Sequence, residues 1–162
     1  DDFAYTPEQN IAHAMTALMA QNKGAKRNDR MREGFRCGLV LETIYGILIF
    51  IVCFVFARHL MMLFVKDEEV IGHGVTYLHL ISIMYILPAI TNGLQGFFRG
   101  IGKISVPVIG STLHISIRVV LSYLLIGRMG LEAVAFATGI GWISVVLYQI
   151  LVYRKVRKKG FI

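Results

Sequence analysis

Apolar residues run almost unbroken through four long stretches of this chain, and short charged loops separate them. From Val70 to Phe98 there is no Asp, Glu, Lys or Arg, and from Ala133 to Tyr153 there is none either. The stretch from Ile104 to Ile126 carries one charge, Arg118. The stretch from Cys37 to Val65 carries Glu42 near its start and Arg58 near its end, around the core TIYGILIFIVCFVFA. A helix crosses the roughly 30 Å hydrocarbon core with about 20 residues, and buried strands are far shorter. The pattern predicts transmembrane helices over 35–65, 72–98, 105–126 and 131–153. Ahead of them, apolar IAHAMTALMA lies between polar YTPEQN and QNKGAK, which predicts a fifth helix over 3–22. The expected fold is an all-α polytopic membrane bundle of five transmembrane helices. The chain opens on DDFAYT, without an initiating Met, a basic n-region or a cleavage site. It is therefore expected to start partway along a helix of a longer polypeptide.

The loops assign sides. KGAKRNDRMREGFR carries Lys23, Lys26, Arg27, Arg30, Arg32 and Arg36, RGIGK carries Arg99 and Lys103, and the tail 154–162, RKVRKKGFI, is strongly basic. The intervening loops, VKDEEVIGH and GRMGLE, have no basic excess. Lys and Arg concentrate on the cytoplasmic side, so these three basic regions, the first, third and last of the five, are expected there, in a cell (plasma or inner) membrane.

Composition agrees: 56 % of residues are apolar and 17 % charged, and mean hydropathy is +0.63. The net charge of +7 is mostly this loop asymmetry. Nucleic-acid binding, the competing reading of a basic chain, fits poorly because the charges flank apolar spans. Cys37 and Cys53 are spaced roughly 24 Å apart on one helix and cannot bond to each other. The five His residues show no metal spacing, and no nucleophile or Walker pattern appears, so an enzyme is not expected.

Polar side chains inside lipid-spanning helices must face protein or a water-filled cavity. Three stripes recur at helical spacing: Thr6, Asn10, His13 and Thr16; Tyr85, Asn92, Gln95 and Arg99, with Pro88; and Ser111, His114, Arg118 and Ser122. Such stripes either line a common cavity or link neighbouring helices by hydrogen bonds. His13 and His114 read as packed neutral rings or as proton carriers. Arg118 lies about eight residues, roughly 12 Å, from the outer end of its span, too deep for easy snorkelling, so a functional or network role is expected. Arg58 sits close enough to the outer loop to snorkel. Glu42 is either cavity-facing or paired with a cytoplasmic Arg. Pro88 predicts a kink in mid-span.

Several of these motifs, in this order, resemble one family. AQNKGAKRNDRMREG, with Gln21, Asn22, Gly24 and Ala25, resembles the QN-x-GA loop that closes the second helix of each lobe in the multidrug and toxic compound extrusion (MATE) transporters. GFFRGIGKISVPV, with Gly96, Arg99, Gly100 and Gly102, resembles the RG-x-G loop between the fourth and fifth helices of a lobe. Arg118 in ISIRVVLSYLL matches the Arg common in that fifth helix, and MGLEAVAFATGIG resembles the start of the sixth.

The resemblance covers essentially the whole chain. It implies the eighth to twelfth helices of a twelve-helix protein, with the N-terminal lobe and the seventh helix missing. It also implies antiport of cationic, amphipathic compounds against H⁺ or Na⁺ by alternating access, without a cofactor. The implied partners are the lipid bilayer, the missing lobe and small organic cations, with no nucleic acid. The residues expected to line the cavity are Asn10, His13, Tyr85, Asn92, Gln95, His114 and Arg118. One departure stands out. Where some members carry a cation-binding Asp in the tenth helix, this chain has Pro88, which points to a coupling carboxylate in the missing lobe. Asp1, Asp2 and Glu8 are the only carboxylates in the first segment. Two other readings stay open: a related flippase for lipid-linked saccharides, and a non-transporting membrane module that binds a partner. A single deep cation, Arg118, favours the exporter over a flippase handling pyrophosphate.

Overall fold

A computed structural model describes residues 2–130 and 132–158. Asp1, the side chain of Asp2 and residues 159–162 of the basic tail lie outside the described residues. The described residues form α1 (Asp2–Gly24), α2 (Asn28–Val55), α3 (Ala57–Met62), α4 (Glu68–Ser82), α5 (Ile86–Gly100), α6 (Ser105–Met129) and α7 (Glu132–Lys158). Among them α2, α6 and α7 are each long and apolar enough to cross a bilayer, and α4 with α5 passes the same test as one span bent by 48°.

Two of the expected helices are broken. The one over 72–98 is interrupted at Ile83–Tyr85, one turn before the proline expected to kink it. Pro88 has no N–H to offer the Met84 carbonyl and its ring crowds that group. Leu87 N donates to Met84 O instead, at 2.9 Å, and Met84 N and Tyr85 N donate to Ile81 O and Ser82 O at 2.9 and 3.1 Å. Three-residue turns thus replace the helix where the proline withdrew a donor. The helix over 35–65 ends at Val55, bends at Phe56 and resumes as α3. Beyond it Asp67 caps α4, its Oδ1 accepting from Glu69 N at 2.9 Å and Val70 N at 3.3 Å. Arg58, expected to snorkel, pairs with Glu68 at 2.9 Å in this exposed region.

The helices pack as a three-helix unit and a hairpin. α1 and α5 run parallel and touch through glycine. A Cβ at Gly96 would lie 2.5 Å from Ala12 O, and one at Gly100 would lie 2.7 Å from Thr16 O. Thr16 Oγ1 donates to Ala12 O at 2.8 Å or Gly96 O at 3.2 Å. α2 runs antiparallel to both, with Gly46 against Ala89 and the Ile86 backbone. In lipid the tails are as apolar as Leu, so close van der Waals contact between small residues does the associating. α6 and α7 form an antiparallel pair, with Gly110 against Gln149 and Val145 and Gly141 against His114.

The largest buried cluster brings five helices together: Met15 and Met19 of α1, Met31 and Phe35 of α2, Phe97 and Phe98 of α5, Val106 of α6 and Val156 of α7. It sits at the end of the bundle that carries all three basic regions. There Lys23 Nζ donates to Ile101 O at 2.7 Å and ties the QN-x-GA segment to the RG-x-G loop. Gly102, at φ 78°, makes the turn out of α5 that a side chain would strain.

Candidate functional site

α6 leans away from α5 and leaves a groove. Its wider part, about 550 Å³, has Thr16, Gln95 and Arg99 on one wall and Pro107, Ser111 and Ile115 on the other. It continues into a cleft of about 180 Å³ that shares Gln95, Ser111 and Ile115 and adds His114 and Trp142. Arg99 Nη2 donates to the buried Gln95 Oε1 at 2.8 Å, which orients both side chains along the groove. The His114 ring stacks on Trp142, with centroids 4.1 Å apart and planes at 28°. His114 Nε2 is buried without a hydrogen-bond partner among the described residues. Apolar walls, a few oriented polar groups and an indole face suit a flat, partly charged organic solute. No group of three His, Cys, Asp or Glu able to hold a metal occurs among the described residues.

A second polar constellation lies inside the three-helix unit. Glu8 of α1 and Glu42 of α2 are both fully buried. Asn92 Nδ2 donates to Glu8 Oε2 at 3.0 Å. Glu8 Oε1 and both oxygens of Glu42 have no hydrogen-bond partner among the described residues. Glu42 packs on the bare Cα of Gly93, beside Asn92. Neither carboxylate has a salt-bridge partner among the described residues. Of the two readings open for Glu42, the structure therefore rejects the cytoplasmic Arg: it faces inward, toward α1 and α5.

The residues expected to line a cavity separate into three groups. Gln95 and His114 meet in the groove, joined by Arg99. Asn92 turns to Glu8 instead, and Tyr85 is buried in the break before α5. Asn10, His13 and Arg118 are exposed. Arg118 has no hydrogen bond or ion pair among the described residues. Of the family-motif positions, Gly96 and Gly100 are buried against α1, while Gln21, Gly24, Ala25 and Gly102 are exposed at the basic end. Asn22 donates to Leu18 O at 2.8 Å within the last turn of α1.

Sequence reasoning passed over two residues, Trp142 and Gln149, and named Glu8 without its partners. Trp142 is the lone Trp of an apolar run, and nothing local marks it as a stacking partner. Gln149 is fully buried with both side-chain polar atoms unpaired, and its apolar neighbours hid it. Glu8 was visible as a carboxylate, but its partners lie 34 and 84 positions away.

The described residues thus form a bundle of long apolar helices with two buried carboxylates inside it and a polar-lined groove beside it. Residues 1–124 match the family described as MatE, and the chain belongs to that family. It is 23 % identical over 109 residues to the probable multidrug resistance protein NorM of Thermotoga maritima, covering 67 % of this chain and 24 % of that protein. Its fold is that of solved MATE transporters. One, a multidrug resistance transporter of the MOP superfamily in its inward-facing conformation, superposes with a TM-score of 0.83 at 18 % identity, over 91 % of this chain and 36 % of that one. An outward-facing multidrug resistance transporter of the same superfamily gives 0.80 at 18 % identity, over 88 % and 32 %. The chain thus spans 24 % of the length of the curated relative it matches.

Proposed function

We propose that this chain is most of the C-terminal lobe, the eighth to twelfth helices, of a twelve-helix transporter. In this reading the transporter exports cationic amphipathic compounds in exchange for H⁺ or Na⁺, and the N-terminal lobe and seventh helix belong to the same polypeptide. The basic loops and tail face the cytoplasm of a plasma or inner membrane. Family membership supports transport. Relatives solved in inward- and outward-facing states support alternating access.

The observation that carries the coupling is the Glu8–Asn92–Glu42 constellation. Two carboxylates sealed in a low-dielectric interior, with no counter-charge among the described residues, hold a proton or bind a cation, because a bare pair there is too costly. This moves the coupling site from the missing lobe, where the Pro88 departure pointed, into this one. α5 links ion to solute. Asn92 touches the carboxylate side, Gln95 and Arg99 line the groove about one and two turns further on, and the bend at Ile83–Tyr85 lets α5 move against α4.

The test is efflux of a cationic dye from proteoliposomes of the complete polypeptide, under an imposed H⁺ or Na⁺ gradient. Glu42→Gln and Glu8→Gln are each expected to lower gradient-driven efflux by about tenfold or more while leaving insertion intact. A double variant that keeps normal H⁺ and Na⁺ dependence would refute the assignment.

Arg118, exposed on α6, is proposed to meet solute or a helix of the rest of the polypeptide. Arg118→Lys should restore efflux only partly relative to Arg118→Ala, since an ammonium lacks the planar fork of donors. Near-normal efflux in Ala, Lys and Gln variants would remove Arg118 from the mechanism.

A further inference from the structure

We propose that the gap between the first turns of α2 and the last turns of α7 binds the phosphate of an anionic lipid headgroup. Arg32 and Arg36 are four residues apart on α2, and Tyr153 and Arg157 four apart on α7, so each pair shares one face of its helix. The four side chains line a cavity of about 260 Å³, and no carboxylate of the described residues lines it with them. The backbones of α2 and α7 do not pack directly on each other. Side chains bridge them, through Phe35 stacked on Tyr153 at 5.0 Å and through Val156 in the core with Met31 and Phe35. The polar ends of the helices are therefore held apart as a cradle.

The cradle is preorganised. The Tyr153 ring is fixed on one side by Phe35 and on another by the edge of Phe97, at 5.4 Å and 74°. Its phenol oxygen forms no hydrogen bond among the described residues. The nearby acids are Asp29 and Glu33, which line a separate concavity on α2 with Arg32 and Arg36. Asp29 pairs there with Arg27 at 3.6 Å. Its carboxyl is held below the usual range, chiefly by the Arg30 backbone N–H. Neither acid enters the cradle.

Position points to a lipid as the source of the phosphate. Cys37 opens the apolar run of α2 and Tyr153 closes that of α7, so the cavity lies at the level where headgroups sit. Immediately inward, α2 exposes Val40, Leu41 and Ile44, a surface along which an acyl chain can lie. Guanidinium forks fit phosphate oxygens two at a time, and a fixed phenol adds a donor. Basic pockets between helices at this depth are suited to acidic headgroups.

The test is native mass spectrometry of the full chain in detergent, titrated with dioleoyl phosphatidylglycerol or dioleoyl phosphatidylcholine. The first phosphatidylglycerol is expected to bind about tenfold more tightly than phosphatidylcholine. Combining Arg36→Gln with Arg157→Gln should abolish that preference, and Tyr153→Phe should weaken it about threefold. Lys155→Gln, outside the cavity, should leave it unchanged. Circular dichroism checks that helicity is retained; if the double Gln variant loses it, the paired Arg→Lys changes take its place and should reduce the preference without removing it. Equal affinity for the two lipids overturns the proposal, as does an effect of Lys155→Gln as large as that of the double variant. Displacement by millimolar inorganic phosphate would overturn it in favour of a soluble anion.

Discussion

The three-helix unit of α1, α2 and α5 and the hairpin of α6 and α7 use the same small residues to different ends. In the unit, three glycines let backbone meet backbone, Gly96 and Gly100 of α5 against carbonyls of α1 and Gly46 of α2 against the start of α5, while Gly34, Gly38 and Gly93 admit side chains. In the hairpin, glycines make room for side chains: Gly141 for the His114 ring and Gly110 for Gln149. The consequence is a difference in cover. The polar groups of the unit, Glu8 and Glu42, are sealed, whereas α6 of the hairpin leaves most of its apolar surface uncovered. A sealed pocket suits a small ion that must be stripped of water, and an open, half-polar groove suits solutes of varied shape. On the proposed reading, one lobe divides the ion and the solute between these two kinds of packing.

Substitutions at the glycines test that division, and the largest effect is expected in the unit. Gly100→Val would drive a side chain into Met19 and the Thr16 carbonyl, and backbone cannot step aside as a side chain can. A loss of about 3 kcal/mol is expected, read as a lowered unfolding temperature of the purified chain in detergent. An unchanged unfolding temperature would mean that α1 and α5 are not held in this contact.

A smaller effect is expected in the hairpin. A Cβ at Gly141 would come within 2.7 Å of His114 Cδ2, so Gly141→Ala should push the ring off Trp142 at about 1 kcal/mol, with a change in Trp fluorescence. Adding His114→Ala should recover much of that loss, because the clashing ring is gone. Two additive losses would show that the residues do not touch.

The smallest effect belongs outside both regions. Arg58 and Glu68 pair at 2.9 Å, but their side chains are 62 % and 70 % exposed. Arg58→Gln should therefore change stability by less than about 1 kcal/mol, and raised salt should erase the difference. A larger, salt-insensitive loss would give the α3–α4 connection a structural weight comparable to the hairpin's.

The alternation of apolar spans with charged loops determined the all-α polytopic class, because only a helix meets the hydrogen-bonding demand of its own backbone in lipid. The loop motifs around Gln21–Ala25 and Arg99–Gly102 determined the family, because both are local and continuous. Pro88 announced a break but not its position. The missing N–H is felt at Met84, the residue it would have bonded, and the chain yields there. For the same reason Asn92 and Gln95 looked alike as two amides on one helical stripe. Their fates depend on what α1 and α6 bring to each.

Tertiary structure alone decided what pairs with what. Nothing local tells Glu8 that Asn92 lies 3.0 Å away across 84 residues, or tells Glu42 that it will end without a hydrogen bond. Nor does the spacing of α7 disclose that Trp142 will lie flat on His114 of the neighbouring helix. Periodicity is a property of one helix, and it states which residues share a face. Which neighbour that face meets, and at what height, is set by how closely the glycines let the helices approach and by where the breaks at Phe56 and Ile83–Tyr85 redirect them.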